Sequence, residues 1–204
     1  MIFIILFIII LSIIVAYYLI KSRNQTKEPT VYVYSKLNQT KYMVLNRPDK
    51  EEAAYLLSEI HVRILILRDY LMKNIDKYPE YKYYILRMCE RIDKIVLQEN
   101  IPGGKHTSFT KGKSKMWICL RNKETGQLHQ INLLMYIVLH ELAHFASPYI
   151  GFDKNGNDLS HNDLFKYIFI FLLKISIQIK IYKYVDYRIN PHEYCGIVVF
   201  EKLF

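Results

Sequence analysis

The strongest constraint on the fold is a long apolar segment, residues 131–145, that carries two histidines and a glutamate near its end. Its apolar side chains recur at helical spacing, which predicts a core helix over roughly residues 132–147. Pro148 follows and should end that helix. Three polar side chains, those of His140, Glu141 and His144, lie near the end of this segment and need partners if they are buried. The segment must therefore be a core helix whose polar side chains share a partner.

The spacing of these polar residues indicates what the partner is. Residues four apart lie on one face of a helix, so His140 and His144 can bind one metal ion. Neutral imidazole suits Zn²⁺, which takes three protein ligands at catalytic sites and leaves one position open. Glu141 directly follows the first histidine and can accept a proton from bound water. The pattern is typical of zinc metallopeptidases, and it favours a metal site over an ordinary amphipathic helix.

A third protein ligand has to come from another part of the chain. A polar loop follows the core helix, and the next apolar segment begins near His161. A helix that starts there would return its first residues toward the core helix. We therefore expect His161 to be the third zinc ligand; the alternatives are Asp158, Asp163 and His192.

Other segments predict helices around this core. Acidic residues followed by apolar residues at helical spacing predict a helix over about residues 49–71. Pro79, a residue suited to the first turn of a helix, predicts the start of a second helix over about residues 79–95. A third helix is predicted over about residues 161–179, because the apolar segment there is too short to cross a bilayer and is expected to be buried. The prediction is an α+β domain over residues 49–204, mostly helical with a small sheet.

The substrate contacts are predicted from one strand and the C-terminal segment. Residues 116–121 are rich enough in β-branched and aromatic side chains to form a strand. We expect this strand to be an edge with which an extended peptide pairs, so that Ile118 and Leu120 contact substrate. Residues 187–196 are expected to be irregular. If they fold back over the site, His192 and Tyr194 would help bind substrate; plain packing of these side chains is the favoured alternative.

The N-terminus predicts a membrane anchor. Residues 1–20 form an almost unbroken apolar run, long enough to cross a bilayer as a helix. A cleaved signal peptide is the rival, but a basic start, a shorter apolar core and small residues before a cut are not clear. Basic residues follow the run, which predicts a cytosolic C-terminal domain. Residues 21–48 are predicted to be a juxtamembrane linker, in which the patch Val31-Tyr-Val-Tyr34 is a candidate short strand.

Cysteines and sequons bear on the same topology. The three cysteines are odd in number and widely spaced, which favours reduced thiols over a disulfide framework; they are Cys89, Cys119 and Cys195. Two Asn-Gln-Thr sequons, at Asn24 and Asn38, favour the opposite side of the membrane, because they are glycosylated only in a lumen. Short sequons arise often by chance, so we give them less weight.

The net charge of +9 suits nucleic acid or an anionic membrane surface. Lysine, isoleucine, tyrosine and asparagine are abundant throughout, however, and this overall composition accounts for the charge. Nucleic-acid binding is therefore an open alternative that the sequence does not favour.

The histidine motifs resemble a known group. The sequence His-Glu-Leu-Ala-His at 140–144, followed by His161-x-x-x-Phe165, is similar to the SprT-like and WLM families of zinc peptidases. There a glycine precedes the third histidine; here Ser160 replaces it. A longer pattern over roughly residues 75–200 resembles small metallopeptidase-like proteins of large DNA viruses. Its further elements are Thr107-Ser-Phe-Thr110, Ile118-Cys-Leu-Arg121, Asn132-Leu-Leu-Met135 and Tyr194-Cys-Gly196.

The resemblance implies a zincin-like domain with one zinc ion. It implies His140, His144 and His161 as the ligands and Glu141 as the catalytic residue. SprT-like members cleave proteins crosslinked to DNA, but their DNA-binding appendages are not found in this sequence, so that substrate does not transfer.

The expected function is that of a membrane-anchored zinc metallopeptidase acting on a protein or peptide, with Glu141 as general base. The membrane would be that of a host or a virion if the protein is viral. The alternative is a non-catalytic membrane or virion protein that keeps zinc for stability. An open fourth coordination position would favour the enzyme, and a fourth protein ligand the structural protein.

Overall fold

The computed structural model describes residues 10–12, 14, 15, 28–101, 108–111, 114–148, 151 and 159–200. Two strands, β1 (Thr30–Tyr34) and β2 (Lys41–Leu45), precede helix α1 (Lys50–Lys73). Two 3₁₀ turns (Ile75–Lys77 and Pro79–Tyr81) lead to α2 (Lys82–Ile92). Three strands follow, β3 (Val96–Glu99), β4 (Phe109–Lys111) and β5 (Lys115–Ile118). The last elements are α3 (Ile131–Ala146), α4 (Asp163–Gln178), β6 (His192–Tyr194) and β7 (Ile197–Val199).

The first five strands form one mixed sheet in the order β1-β2-β3-β5-β4. The inner strands β2, β3 and β5 are parallel, while the outer strands β1 and β4 are antiparallel to their neighbours. The predicted α+β class is confirmed. The prediction that residues 116–121 form an edge strand is wrong, because β5 is paired on both sides, with β3 and β4.

The helices cover one face of this sheet. Helix α1 packs on β1, β2 and β3 and against α2 and α3. Helix α3 lies among the other elements, in contact with α1, α2, α4 and β5. The core between sheet and helices includes fully buried side chains from each layer, such as Val44, Ile60, Met116 and Leu134. The apolar run at residues 131–145 is therefore the central helix of the domain.

Two parts of the sheet differ from the sequence prediction. The segment 21–48 was expected to be a linker with one short strand around Val31–Tyr34. β1 lies at that position, but β2 also lies in this segment and pairs with β1 in register over five residues. The second helix was expected to reach residue 95, but α2 ends at Ile92 and β3 follows. The sequence of β3 does not predict a buried strand, because two of its four residues, Gln98 and Glu99, are polar although both are buried.

The predicted membrane anchor lies largely outside the described residues. Residues 10–12, 14 and 15 are helical and exposed. Over the described ranges, no helix combines the length and the apolar composition needed to cross a bilayer.

The cysteines correct a sequence prediction. Cys119 and Cys195 form a disulfide, with their Cα atoms 6.3 Å apart, where reduced thiols were expected. They are 76 residues apart in the chain, so the spacing of the cysteines gave no hint of the pair. Cys89 is free and buried in α2, and burial raises the pKa of its thiol to about 11.

The C-terminal segment is more regular than predicted. Strands β6 and β7 form a hairpin, closed by Tyr194 and Ile197 around a two-residue turn. Both turn residues have positive φ, 52° at Cys195 and 92° at Gly196. Such turns favour glycine at the second position, because it has no Cβ atom to clash with the backbone. The hairpin and the disulfide together attach this segment to the end of β5.

A buried ion-pair network joins the sheet to the start of α1. Arg121 is 1% exposed, and its Nε donates to Glu99 Oε1 at 2.7 Å. Its Nη1 donates to Asp49 Oδ2 at 2.5 Å. The second oxygen of Glu99 accepts the backbone N–H of Leu45 at 2.7 Å. Burial raises the pKa of Glu99, although Leu45 and Arg121 both act to lower it. The network therefore connects β2, β3, α1 and the segment after β5.

We expect Arg121→Met to lower the free energy of unfolding by about 3–5 kcal/mol, because it leaves the Glu99 carboxylate buried without its cation. Urea unfolding followed by circular dichroism measures the loss. The double variant Arg121→Met/Glu99→Gln should recover part of it, since the amide oxygen can still accept from Leu45 and no buried charge remains. A loss below about 1 kcal/mol in the single variant would contradict this role for the network.

Candidate metal centre

Three imidazoles converge at one point of the domain. His140 Nε2 lies 3.2 Å from His144 Nε2 and 3.0 Å from His161 Nε2. Among the described residues, these three form the group of side chains that could hold a metal ion, with their ligand atoms all within 4.8 Å of one another. The structure thus brings together the three histidines that the sequence analysis selected.

The first two histidines are fixed by α3. They lie one turn apart on this helix, which is buried over most of its surface. The helix ends just before Pro148, as predicted, with Ser147 in an extended conformation. Arg91 of α2 donates through Nη1 to the backbone carbonyl oxygens of His144 and Phe145. These contacts satisfy carbonyl groups that the end of a helix leaves without partners.

The third histidine is fixed by the start of α4. Asn162 is the N-cap, and its Oδ1 accepts the backbone N–H of Phe165 at 2.9 Å. His161 directly precedes this N-cap residue and is therefore fixed at the N-terminus of the helix. Ser160 Oγ lies 3.2 Å from His161 Nδ1. A hydroxyl at this distance orients the imidazole so that Nε2 points to the other two histidines.

Phe165 supports all three imidazoles and was not assigned a role by the sequence analysis. Its ring centroid lies 4.9 Å from that of His140, 4.4 Å from that of His144 and 4.9 Å from that of His161. The side chain is 3% exposed, so the histidines rest on a buried aromatic ring. The spacing His161-x-x-x-Phe165 was its only signal in the sequence.

The histidine geometry fits zinc. Zn–N bonds of about 2.0–2.1 Å in a tetrahedral site place two ligand nitrogens about 3.3 Å apart, close to the separations in this group. Burial, and then the neighbouring His144 and His161, lower the pKa of His140 to about 3, so this imidazole is neutral and can act as a ligand. Converging nitrogen lone pairs repel one another unless a cation lies between them.

Glu141 lies beside the group but is not part of it. Its side chain is 7% exposed, and burial raises its pKa to about 7. A carboxyl group with such a pKa can both accept and release a proton near neutral pH. The position thus suits a general base that does not itself bind the metal.

The predicted substrate contacts differ from the structure. Ile118 and Leu120 are both fully buried, so their side chains are part of the core and present no surface to a substrate. Tyr194 is also buried, and its hydroxyl lies 2.6 Å from Ser108 Oγ. Burial raises the pKa of Tyr194, and the charge of Glu141 contributes to the shift. Tyr194 is therefore a buried neighbour of the site.

The alternative ligands do not join the histidines. Asp163 has an exposed side chain, 3.8 Å from Lys166 in the first turn of α4. His192 is exposed on β6, with Nδ1 2.8 Å from the carbonyl oxygen of Asn190. Asp158 lies outside the described residues. Within the described ranges the group has no fourth histidine, cysteine or carboxylate ligand.

Comparison with known proteins gives one sequence relative. No family model matches the chain. It is 51% identical over 181 residues to uncharacterized protein R325 of Acanthamoeba polyphaga mimivirus, covering 88% of this chain and 87% of that protein. The chain belongs to the family of this mimivirus protein. The viral part of the resemblance noted in the sequence is thereby confirmed.

A solved structure gives a weaker match. The crystal structure of Wss1 from Saccharomyces cerevisiae aligns with a TM-score of 0.45 and 22% sequence identity, covering 67% of this chain and 87% of Wss1.

We expect the purified protein to bind close to one zinc ion, because three imidazoles converge on one point. His161→Ala should weaken zinc binding by at least about tenfold, since two protein ligands remain. Titration against a chromogenic zinc chelator measures the affinity. His192→Ala is the matched control, because this exposed histidine lies outside the group. Equal affinity of His161→Ala and the parent protein would show that the third ligand lies elsewhere.

Proposed function

We propose that this protein is a membrane-anchored, zinc-dependent metallopeptidase that hydrolyses peptide bonds with Glu141 as general base. The observation that carries the proposal is the convergence of three imidazoles beside a buried carboxyl group that is not one of them. Three histidine ligands match the number at catalytic zinc sites, which keep a fourth position open for water or substrate.

His140, His144 and His161 would hold the zinc ion. When bound, zinc supplies a Lewis acid that lowers the pKa of water to about 7 and polarises a carbonyl group. The ring of Phe165 packs against the imidazoles, and Ser160 orients the imidazole of His161. These contacts support a site held in one arrangement before substrate arrives, as efficient catalysis requires.

Glu141 would accept the proton of the attacking water and return it to the leaving amine. Its raised pKa, about 7, suits both steps near neutral pH. The apolar environment that raises this pKa also excludes bulk water from the carboxyl group.

The substrate would be a protein or peptide in extended form. The free edge of β4 replaces β5 as the strand with which it would pair, since β4 ends the sheet order. Ser108 directly precedes β4 and contacts Tyr194, whose pKa is affected by the charge of Glu141. This contact supports β4 as the strand with which the substrate would pair.

The anchor would be residues 1–20, with the C-terminal domain in the cytosol. The apolar run and the basic residues that follow it support this topology. The Cys119–Cys195 disulfide removes the argument from reduced thiols and, because disulfides persist in oxidising compartments, counts against the cytosolic side. The cytosolic orientation is therefore proposed on those basic residues alone.

We expect Glu141→Gln to keep fold and zinc but to abolish hydrolysis, because an amide cannot accept the proton. Loss of a general base typically lowers the rate by about 10²–10⁴-fold. Degradation of casein, together with autocleavage before β1, measures the activity. Glu90→Gln, at an exposed glutamate of α2, is the matched control and should retain it.

Two outcomes would contradict the proposal. Equal activity of Glu141→Gln and the parent would exclude Glu141 as the base. Inactivity of the zinc-loaded parent, with spectroscopy of a cobalt-substituted site showing four protein ligands, would favour the zinc-stabilised structural protein instead.

A further inference from the structure

The face of the five-stranded sheet opposite the helices has its own chemical character. Strand register places Tyr32, Met43, Gln98, Trp117 and Phe109 side by side in one row across all five strands. A second row includes the pairs Tyr34–Lys41 and Val96–Lys115. We call these nine side chains the open sheet face; within it, Gln98 is itself buried. They alternate along the strands with core residues such as Tyr42, Leu97 and Met116.

Aromatic and aliphatic groups on this face are exposed. Tyr32 is 56% exposed, Tyr34 64% and Val96 43%. Trp117 and Phe109 are half-buried and stack on each other, with ring centroids 4.8 Å apart and planes within 9°. Exposed apolar side chains that are contiguous on a sheet, and not scattered singly, indicate a contact surface.

The charge of this face is of one sign. Lys41 and Lys115 are exposed, and neither has an ion pair with a carboxylate among the described residues. The Lys41 ammonium lies 5.1 Å from the ring centroid of Tyr32 and 5.5 Å from that of Tyr34. None of the nine side chains is acidic. The face thus combines cations with tyrosine and tryptophan, the residues that prefer the headgroup region of a bilayer.

The chain upstream of β1 connects this face to a bilayer. Nine residues, 21–29, separate Ile20, the end of the apolar run, from Thr30, the start of β1. Extended, they reach at most about 35 Å, whereas five strands at about 4.8 Å spacing span only about 20 Å. A domain on this tether can therefore lay the whole face on the membrane surface.

We propose that the open sheet face docks on an anionic lipid surface. The tyrosine, tryptophan and phenylalanine rings enter the headgroup layer, and Lys41 and Lys115 pair with lipid phosphates and carboxylates. The helices, with the histidine group, then point away from the bilayer toward the aqueous phase. This inference rests on the proposed anchor and not on the proposed hydrolysis.

The single tryptophan, Trp117, lies in this face and reports on docking. The full chain is reconstituted into vesicles of phosphatidylcholine alone, or of phosphatidylcholine with phosphatidylserine, each with and without brominated lipid. We expect bromine to quench Trp117 fluorescence in anionic vesicles, and quenching to fall in neutral vesicles and at high salt.

Lys41→Glu/Lys115→Glu is the test variant. Each lysine near an anionic surface is worth about fivefold in binding, so removing two should weaken docking by at least about thirtyfold. The matched control is Lys73→Glu/Lys174→Glu, which makes the same charge change at exposed positions on α1 and α4. It should retain the quenching. Circular dichroism checks that both variants are folded.

Several results would overturn the inference. Equal quenching in neutral and anionic vesicles, or in the test and control variants, would show that the lysines do not dock the face. Quenching by a single-stranded oligonucleotide, with no response to lipid, would make the face a nucleic-acid surface. A dimer in light scattering that the test variant abolishes would make it a self-association surface. Failure of the full chain to float with neutral vesicles would exclude the anchor and with it this inference. The comparison of activity between Glu141→Gln and the parent would not be affected, so the proposed hydrolysis is tested separately.

Discussion

Helix α3 has to be the centre of the hydrophobic core and the carrier of the polar site at the same time. It contacts α1, α2, α4 and β5, so little of its surface is left to water. His140, Glu141 and His144 nevertheless lie in its last two turns. Burial keeps the first imidazole neutral and raises the pKa of the carboxyl group. The same packing that stabilises the fold therefore sets the protonation states of the site.

The elements around α3 hold the site by contacts distant in sequence. Arg91 donates hydrogen bonds to carbonyl oxygens at the C-terminal end of α3, and the ring of Phe165 packs against the imidazoles. The Cys119–Cys195 disulfide attaches the C-terminal hairpin to the end of β5, which keeps Tyr194 near the site. Arg121, two residues after the first of these cysteines, is held by Glu99 and Asp49. The site thus depends on a frame in which buried charges and sulfur atoms have specific partners.

The sheet divides the molecule into two surfaces with different chemistry. On one side, the strands present apolar residues to the helices that carry the histidine group. On the other, they present tyrosine, tryptophan, methionine and lysine. Successive residues of a strand point to opposite faces, so one short strand contributes to both. In this way, β5 places Met116 in the core and Trp117 on the open face.

The sequence by itself determined the central helix and the side chains that meet at its end. Helical periodicity, Pro148 and the four-residue histidine spacing are local properties, and His161 followed from the apolar segment that begins after it. Tertiary structure alone decided the rest. Glu99 and Arg121 are charged, and their burial is stable only because each finds the other across the sheet. Strand partners follow from pairing between distant segments, so β2 and β3 became part of the sheet without a clear local signal, and β5 became an inner strand. The disulfide likewise required two cysteines 76 residues apart to be brought together by the fold.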